Sequence, residues 1–319
     1  MFDRDFKVVV FGGGTGLSSI LRGLKKYPID ITAVVTVSDD GGSSGVLREM
    51  FNMTPPGDIR RVLVSLSQDE EIFDDLFNYR FKDVLGEHTV GNIILAALCE
   101  MNNGSMLKAI EHLSRVLNIK GKVLPVSDMP YRLKATYLDG TTVVGEKNIP
   151  CPGKRIKYVE TVEKIRANPL VIKAINEADA IIYSPGSLYT SLLPNLILDD
   201  VKEALKASKA YKIYIANIVT QYGETNGYQL SDHVKALIDV IGKDQLDLVI
   251  ANDDMNVDKD ILKKYLDDNQ DLVYPDVENV NALGVETQTS RLINVQDKYL
   301  RHNANKVAAY VIKQLIDIL

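Results

Sequence analysis

The sequence FGGGTGLSSILRGL occupies residues 11–24 and follows directly on the apolar run KVVV at residues 7–10. Four of its first six residues are glycine, and apolar residues then recur at the spacing of a helix. A strand, a tight glycine turn and a helix start bring backbone N–H groups and the positive end of a helix dipole to one point. Glycine also lets the oxygens of an anion approach the main chain. The stretch therefore predicts an anion-binding loop at Gly13, Gly14 and Gly16, with Thr15 as a hydroxyl donor.

The glycine spacing differs from the two commonest phosphate-binding motifs. A dinucleotide fingerprint needs glycines at relative positions one, three and six, but the sixth position is Leu17 counted from Gly12 and Ser19 counted from Gly14. A P-loop needs Gly-Lys followed by Ser or Thr, and the sequence contains no such triplet. A turn that needs small residues only for packing is the plain alternative. Four glycines after a buried strand favour phosphate or nucleotide binding over that alternative.

Composition is that of an ordinary globular protein. The chain has 319 residues, of which 45% are hydrophobic and 25% charged, and its net charge of −6 argues against a nucleic-acid surface. Cys99 and Cys151 have no CxxC partner and no neighbouring histidine cluster, so a zinc site is not expected. The N-terminus carries acids instead of an apolar signal core, and no apolar stretch is long enough to span a membrane. We therefore expect a cytoplasmic protein.

Alternation of short apolar runs with amphipathic segments predicts the fold. The expected strands are residues 8–11, 31–37, 123–126, 180–184, 212–217 and 246–251. Because most are continuously apolar, they indicate a doubly wound α/β fold, a mostly parallel sheet with helices on both faces. Residues 131–147 instead alternate around Asp139-Gly140, which predicts a small β-hairpin. We expect a single domain over residues 1–319, with an inserted hairpin substructure within 122–160.

Two adjacent acids, Asp39 and Asp40, follow the second predicted strand. Ligands of open α/β sheets bind beyond the carboxyl ends of the strands, so one of these carboxylates is expected to be functional. It can accept hydrogen bonds from ribose, hold a divalent ion against a diphosphate, or act as a general base toward a hydroxyl. A solvated Asp-Gly turn is the alternative. Ser43 and Ser44 follow in the same glycine-rich stretch.

Arg60 and His88 are the next candidates. Arg60 lies in the first turn of a predicted helix, where a cation opposes the helix dipole, which indicates an anionic partner; a surface ion pair is the alternative. His88 precedes Gly91-Asn92 at the entrance of another helix, where it can act on protons or contact phosphate, or simply cap the helix.

The second half repeats the pattern of strand, glycine loop and helix. Ser184-Pro185-Gly186-Ser187 follows the fourth predicted strand and can hold a second phosphate or a sugar. Asn217, Thr220 and Gln221 follow the fifth strand, where amides suit sugar hydroxyls or base edges. Because the ends of parallel strands lie side by side, these groups are expected to converge.

Six stretches together resemble a known family. They are GGGTG, VSDDGGSSG, PPGDIRR, HTVGN, SPGSLYTSLLPN and NIVTQYGET, in this order. They resemble the YvcK-type proteins, called gluconeogenesis factors, which belong with the 2-phospho-L-lactate transferases (CofD) of deazaflavin-cofactor biosynthesis. The resemblance runs from Val8 to about Thr225 and implies a Rossmann-like protein that binds a nucleotide diphosphate compound, typically a UDP-sugar such as UDP-N-acetylglucosamine. It also implies a bacterial cytoplasmic role that links carbon metabolism to cell shape and wall synthesis.

In the transferase branch of that family, the resemblance implies that an acid matching Asp39 or Asp40 lies near the attacking deazaflavin hydroxyl, with Mg²⁺ assisting. Two functions follow. The first is a regulatory protein that holds a UDP-sugar and requires no cofactor. The second is a transferase that moves a phosphoester group to an alcohol, with Asp40 as base, Arg60 and His88 stabilising charge on the phosphate, and Asp39 as the candidate metal ligand.

For either function the expected binding residues are Gly13, Gly14, Thr15, Gly16, Asp39, Asp40, Ser43, Ser44, Asn92, Pro185, Gly186, Ser187, Asn217, Thr220 and Gln221. NAD is a further possible ligand, because the glycine loop alone can accept the diphosphate of a dinucleotide. A homodimer is expected from the frequency of two-fold assemblies among proteins.

Overall fold

A seven-stranded parallel sheet forms the centre of the molecule. The computed structural model describes residues 6–81, 85–296 and 298–317. The strands are β1 (Phe6–Gly12), β2 (Ile29–Val35), β3 (Lys122–Pro125), β4 (Leu133–Tyr137), β5 (Thr142–Val144), β6 (Ile156–Thr161), β7 (Ala180–Tyr183), β8 (Tyr211–Ile215), β9 (Leu248–Asn252), β10 (Glu286–Ser290), β11 (Ile293–Gln296) and β12 (Tyr299–His302). The order across the large sheet is β10-β9-β8-β7-β1-β2-β3. Successive strands run outward in one direction from β1 to β3 and in the other from β7 to β10, so the switch point lies between β1 and β7.

Helices cover both faces of this sheet. They are α1 (Gly14–Leu24), α2 (Gly42–Phe51), α3 (Gly57–Leu66), α4 (Glu70–Asn78), α5 (Val90–Met101), α6 (Met106–Val116), α7 (Pro169–Glu177), α8 (Leu193–Leu196), α9 (Asp199–Ala207), α10 (Leu230–Ile241), α11 (Lys259–Asp267), α12 (Val277–Ala282) and α13 (Ala304–Asp317). A π-helical turn, Leu188–Leu192, precedes α8, and 3₁₀ turns lie at Leu85–Glu87, Glu146–Asn148 and Lys243–Gln245. Among the described residues, none of these helices has the length and apolar character needed to cross a bilayer.

The continuously apolar sequence of β1 follows from this arrangement. Val9 and Phe11 lie in one buried hydrophobic cluster, and Val8 and Val10 lie in the other, on the opposite face of the sheet. Each side chain is at most 2% exposed, because helices pack on both faces. The predicted α/β fold with a mostly parallel sheet is therefore confirmed.

Strand β10 was not expected from the sequence. Its residues, ETQTS, are polar, and they lie half-exposed or exposed at the edge of the sheet. A polar edge strand of this kind lacks the apolar run that indicates a buried parallel strand.

The predicted hairpin around Asp139-Gly140 joins β4 to β5. It is part of a three-stranded antiparallel sheet in which β4 lies between β5 and β6. Leu133, Tyr137 and Ile156 of this small sheet are buried in the hydrophobic cluster that also covers one face of the large sheet. Strand β3, at the start of the range 122–160, pairs with β2 in the large sheet. A second antiparallel pair, β11 and β12, precedes the last helix.

Candidate functional site

A cavity of about 310 Å³ lies beyond the carboxyl ends of the paired strands β1 and β7, at the switch point of the large sheet. Nine of the residues expected to bind a ligand line it: Gly13, Gly14, Thr15, Gly16, Pro185, Gly186, Ser187, Asn217 and Gln221. They come from the loops that follow β1, β7 and β8. The cavity therefore brings together groups that are up to about 200 residues apart in the sequence, as the topology requires.

Two of the glycines after β1 are required by packing. A Cβ on Gly16 would lie 2.0 Å from the carbonyl oxygen of Pro185, and a Cβ on Gly12 would lie 2.0 Å from Ser184 Oγ. The loops after β1 and β7 thus touch backbone to backbone. Gly14 has a φ of +57°, which L side chains seldom adopt. The packing explanation therefore accounts for Gly12 and Gly16, and Gly16 also lines the cavity together with Gly13 and Gly14.

The first turn of α1 lies at the cavity, and its N-cap residue supplies no side-chain cap. Gly13 is the N-cap residue, its backbone is extended, and it has no side chain that can accept a hydrogen bond from the first turn. N–H groups at a helix start have no partner within the helix, so they are available to an anion. The Thr15 hydroxyl lies beside them in the wall of the cavity.

One carboxyl already lies at this loop. A Cβ on Gly13 would be 2.6 Å from Asp58 Oδ2, and the Asp58 carboxyl also accepts a hydrogen bond from the Gly14 N–H. Burial raises the pKa of Asp58 to about 6, although the Arg61 guanidinium, 3.5 Å away, opposes this increase. A ligand anion must therefore bind beside an acid that competes for the same amide.

The loop after β7 uses its donors internally. The Gly186 N–H donates to Asn217 Oδ1 at 3.1 Å, and Asn217 Nδ2 donates to the Gly186 carbonyl at 2.7 Å. The Ser187 hydroxyl donates to the Glu224 carboxyl, whose oxygens lie 2.7 and 2.6 Å away. Glu224 is 4% exposed, and burial raises its pKa. Sequence reasoning did not select Glu224, although it lies in one of the motifs that carried the resemblance.

Four carboxyls lie next to one another beyond this loop. Burial raises the pKa of Glu146 to about 8, and the neighbouring charges of Asp39, Asp40 and Glu224 raise it further in the same direction. The Thr190 hydroxyl hydrogen-bonds to Glu146 and donates to Glu224 Oε1 at 3.2 Å. Glu146 is carried by the 3₁₀ turn between β5 and β6, so the inserted sheet contributes directly to the site.

Asp39 and Asp40 both bind backbone amides. Asp39 Oδ1 accepts from the Gly41 N–H at 2.9 Å. Asp40 accepts from the N–H groups of Glu146 and Lys147 at 3.1 and 3.0 Å, and it thereby fastens the turn of the inserted sheet to the carboxyl end of β2. Asp40 therefore has a structural task in addition to any role toward a ligand.

We tested whether these acids fit the Mg²⁺ ion that the resemblance implies. Within residues 6–81, 85–296 and 298–317, no group of three or more His, Cys, Asp or Glu side chains is arranged to hold a metal ion. Asp39 retains one oxygen that binds no backbone amide in the described contacts, and Asp40 uses both oxygens. The side chains present therefore do not fit a Mg²⁺ ion held by the protein.

The remaining predicted residues form a second group beside α2 and α5. Arg60 is 4% exposed; its guanidinium donates to Thr89 Oγ1, and to Asn92 Oδ1 at 3.1 Å. Asn92 Nδ2 then donates to Ser43 Oγ at 2.9 Å, and Ser43 Oγ in turn hydrogen-bonds to His88 Nδ1 at 2.8 Å. This chain of hydrogen bonds lies outside the lining of the cavity at the switch point.

Two further predicted residues also lie behind the cavity wall. Ser44 is buried, and its hydroxyl lies 2.3 Å from the position that a Cβ on Gly57 would take. Thr220 is buried, and its hydroxyl accepts from the Asp271 N–H at 2.9 Å. Both residues support the loops that line or adjoin the cavity.

Arg301 and His302 line the cavity but were not expected from the sequence. They lie on β12, far along the chain from the glycine loops, and no sequence motif connects this short hairpin to those loops. Arg301 forms no ion pair with any residue of the described chain, and one of its amino groups donates to the Leu300 carbonyl at 3.3 Å. His302 Nε2 donates to the Ala216 carbonyl at 2.9 Å, and burial lowers the pKa of this imidazole to about 4. Arg301 is thus the cation of the site, and His302 is a neutral donor that fixes the hairpin.

Together the fold and the site define a Rossmann-like α/β protein with a polar cavity at the switch point of its sheet. A family model described as 2-phospho-L-lactate transferase CofD matches residues 8–293. The gluconeogenesis factor of Halalkalibacterium halodurans is 45% identical over 310 residues, covering 96% of this chain and 95% of that protein. The gluconeogenesis factor of Bacillus subtilis is 44% identical over 317 residues, covering 98% of each. A crystal structure of a Bacillus halodurans protein superposes with a TM-score of 0.93 at 44% identity, covering 97% of this chain and 100% of that one. The chain belongs to the CofD family, and within it to the YvcK-type gluconeogenesis factors, which confirms the resemblance.

Proposed function

We propose that the protein binds a nucleotide diphosphate sugar, a UDP-sugar such as UDP-N-acetylglucosamine, in the cytoplasm. In this proposal it acts as a regulatory protein that links carbon metabolism to cell shape and wall synthesis. The observation that carries the proposal is the cavity at the switch point, which combines a helix start with a glycine at its N-cap, an arginine that forms no ion pair within the described residues, and a wall of hydroxyls and amides. This combination suits a ligand with an anionic part and a polar neutral part.

The anionic part belongs beside α1. N–H groups of the first turn of α1 and the Thr15 hydroxyl are donors, and Arg301 supplies a positive charge in the same cavity. A diphosphate is recognised by this set of groups, since charge-assisted hydrogen bonds to phosphate are among the stronger polar interactions.

A nucleoside has room next to this position. A second cavity of about 590 Å³ adjoins the first, and the two share Thr15, Ser19, Arg301 and His302. Its other lining residues include Asn294, Asn303 and Asn305, whose amides can donate to and accept from a base or a ribose. The combined space fits a nucleotide sugar better than an isolated phosphate ion.

Calorimetric titration tests the proposal. Heat is expected from UDP-N-acetylglucosamine, with weaker or no binding of GDP and NAD. Arg301→Ala should weaken binding at least about 10-fold, because it removes a charged partner of the diphosphate. Arg291→Ala is the matched control, since Arg291 is 73% exposed and pairs with Asp254 at 2.9 Å outside both cavities. Absence of heat from the UDP-sugar, or equal affinity of the Arg301→Ala variant, contradicts the proposal.

Phosphoester transfer is the alternative that the family description raises. It needs a base, and Asp40 was the sequence-based candidate, but both Asp40 oxygens accept backbone N–H groups of the inserted sheet. Arg60 and His88 lie in the hydrogen-bonded chain beside Asn92 rather than in the cavity lining. We therefore place binding ahead of transfer. Turnover of a GDP-linked phospholactate with a deazaflavin acceptor would reverse this order.

A further inference from the structure

The second cavity carries more positive charge than a nucleoside requires. Three of the residues that line it are cations, Arg22, Lys26 and Arg301, and no Asp or Glu of the described residues lines it. This charge is gathered on a chain whose net charge is −6. A nucleoside is uncharged, and the diphosphate is placed in the first cavity. The excess of cations therefore indicates a further anionic group.

The cations of α1 lie at one end of this cavity. Thr15, Ser19, Arg22 and Lys26 all line it, and their spacings of four, three and four residues place them on one face of α1 and of the turn that follows it. Thr15 and Ser19 also line the first cavity, whereas Arg22 and Lys26 do not. Because a helix rises about 1.5 Å per residue, Arg22 lies roughly 10 Å beyond Thr15 along the axis. The second cavity thus has a near end, shared with the first cavity, and a far end at Arg22 and Lys26.

The far end is built by the packing of α1 against α13. A Cβ on Gly23 would lie 2.0 Å from the Ala304 carbonyl oxygen, so the two helices touch at the first residue of α13. The N–H groups of Ala304 and Asn305 donate to no acceptor in residues 6–81, 85–296 and 298–317. Both residues line the cavity, and Lys26 Nζ donates to Asn305 Oδ1 at 2.8 Å. An ammonium group and two unused main-chain donors therefore meet at the far end.

Only part of this charge is neutralised within the protein. Arg22 pairs with Glu70, but the same carboxylate also pairs with Lys25 at 2.7 Å, so one negative charge serves two cations. Lys26 bonds to a neutral amide and forms no ion pair within the described part of the chain. Cations are favourable near the C-terminus of any helix. The Lys26 ammonium, however, reaches across to α13 instead of to the last carbonyls of α1, so the helix dipole alone does not explain its position.

We propose that the far end of the second cavity is a separate anion site that takes a phosphate group, held by Lys26, Arg22 and the N–H groups at the start of α13. Charged donors form their stronger hydrogen bonds with such oxygens. The inference goes beyond the proposed function, because it does not depend on what occupies the first cavity. The phosphate can belong to a second small molecule or to the ribose of a bound nucleotide, since both present the same oxygens.

Thermal unfolding in inorganic phosphate tests the site, with sodium chloride of equal ionic strength as the reference. Phosphate should raise the melting temperature of the native protein even when UDP-N-acetylglucosamine is saturating, because the diphosphate then fills the first cavity and leaves the far end open. Lys26→Gln should weaken the apparent affinity for phosphate about 5- to 10-fold, and Lys26→Arg, which keeps the charge, much less. Lys108→Gln is the matched control, since Lys108 is exposed on α6 and lines neither cavity.

Titrations with NAD and NADP separate the two sources of the phosphate, because these ligands differ only by one phosphate on a ribose. Binding of NADP that is about 10-fold tighter than that of NAD, and that loses this advantage in Lys26→Gln, assigns the phosphate to the nucleotide. A Lys26-dependent response to inorganic phosphate without such a preference assigns it to a separate molecule. Both results support the site.

Two results overturn the inference and leave the proposed function intact. One is a response to phosphate no larger than that to chloride, and the other is an equal response of the native and Lys26→Gln proteins. If the native protein does not bind the UDP-sugar, the proposed function fails, and the phosphate titration of the protein alone still tests the far end through Lys26→Gln.

Discussion

Replacing Asp58 with asparagine should stabilise the protein at neutral and alkaline pH. Asp58 is 14% exposed and lies against the glycine loop, where burial raises its pKa from 3.8 to about 6. The folded protein therefore binds this proton more tightly than the unfolded chain does. Stability is expected to fall as the pH rises from about 4 to 6 and to level off above that range, because the carboxylate is then charged in both states.

The magnitude follows from the two pKa values. A pKa raised from 3.8 to about 6 corresponds to about 3 kcal/mol of free energy lost by the folded state at pH 8, and to less than about 1 kcal/mol at pH 4. Asparagine has nearly the same shape, stays neutral and can still accept from the Gly14 N–H. The opposing effect of the Arg61 guanidinium, 3.5 Å from Asp58, is already contained in this net shift of the pKa.

Urea unfolding of the native protein and Asp58→Asn at pH 4 and pH 8 measures the difference. The variant should be more stable by about 2–3 kcal/mol at pH 8 and close to the native protein at pH 4. Asp239→Asn is the control, since Asp239 is exposed and pairs with Lys235 on the surface of α10. A variant that is less stable than the native protein at pH 8, or equally shifted at both pH values, refutes the reasoning.

Three further predictions concern the loops and the buried polar groups. Gly16→Ala should destabilise the protein by about 2–3 kcal/mol, because its Cβ would lie 2.0 Å from a backbone oxygen. Gly41→Ala is the control and should change the stability by only about 0.5 kcal/mol, since its Cβ would meet nothing closer than 3.5 Å. Thermal unfolding of the two variants measures the difference. The His302 imidazole should stay neutral down to about pH 5 in an NMR titration, and its contribution to stability should fall as the pH drops from 6.5 toward its pKa of about 4; an ordinary titration near pH 6.5 contradicts this. Arg60→Met should lower the free energy of unfolding in urea by about 2–3 kcal/mol, because it leaves buried acceptors unsatisfied. Arg61→Met, at a half-exposed side chain, should lower it much less. Equal effects of the two substitutions would contradict the importance of the Arg60 hydrogen bonds.

Local sequence patterns were enough to predict six of the seven strands of the large sheet and the loops at its carboxyl edge. The apolar runs of β1 and β7 and the glycines that follow them are properties of short segments, and the switch point places those segments together. A helix after the glycine loop was predicted for the same reason, and in the structure it begins at Gly14.

Features that depend on distant pairing were not predictable in this way. Glu146 reaches the site because Asp40 binds the turn that carries it, and these residues are 106 positions apart. Arg301 comes from a short hairpin near the end of the chain, and nothing in its sequence shows that it folds back against the glycine loops. The position of Asp39 and Asp40 after the second predicted strand indicated a ligand contact, but nothing in the sequence indicated that backbone amides would occupy both oxygens of Asp40.

The backbone contact between Gly16 and Pro185 has a consequence for how a ligand is chosen. Because a main-chain carbonyl fills the place of a side chain, the two loops are held together without a hinge or an adjustable rotamer between them. The distance across the mouth of the cavity is therefore set by a close contact between two stretches of main chain. Such a site selects ligands by the distance between the two groups that its loops recognise. A ligand in which that distance is longer or shorter should therefore lose more affinity than a ligand in which one of the two groups is replaced.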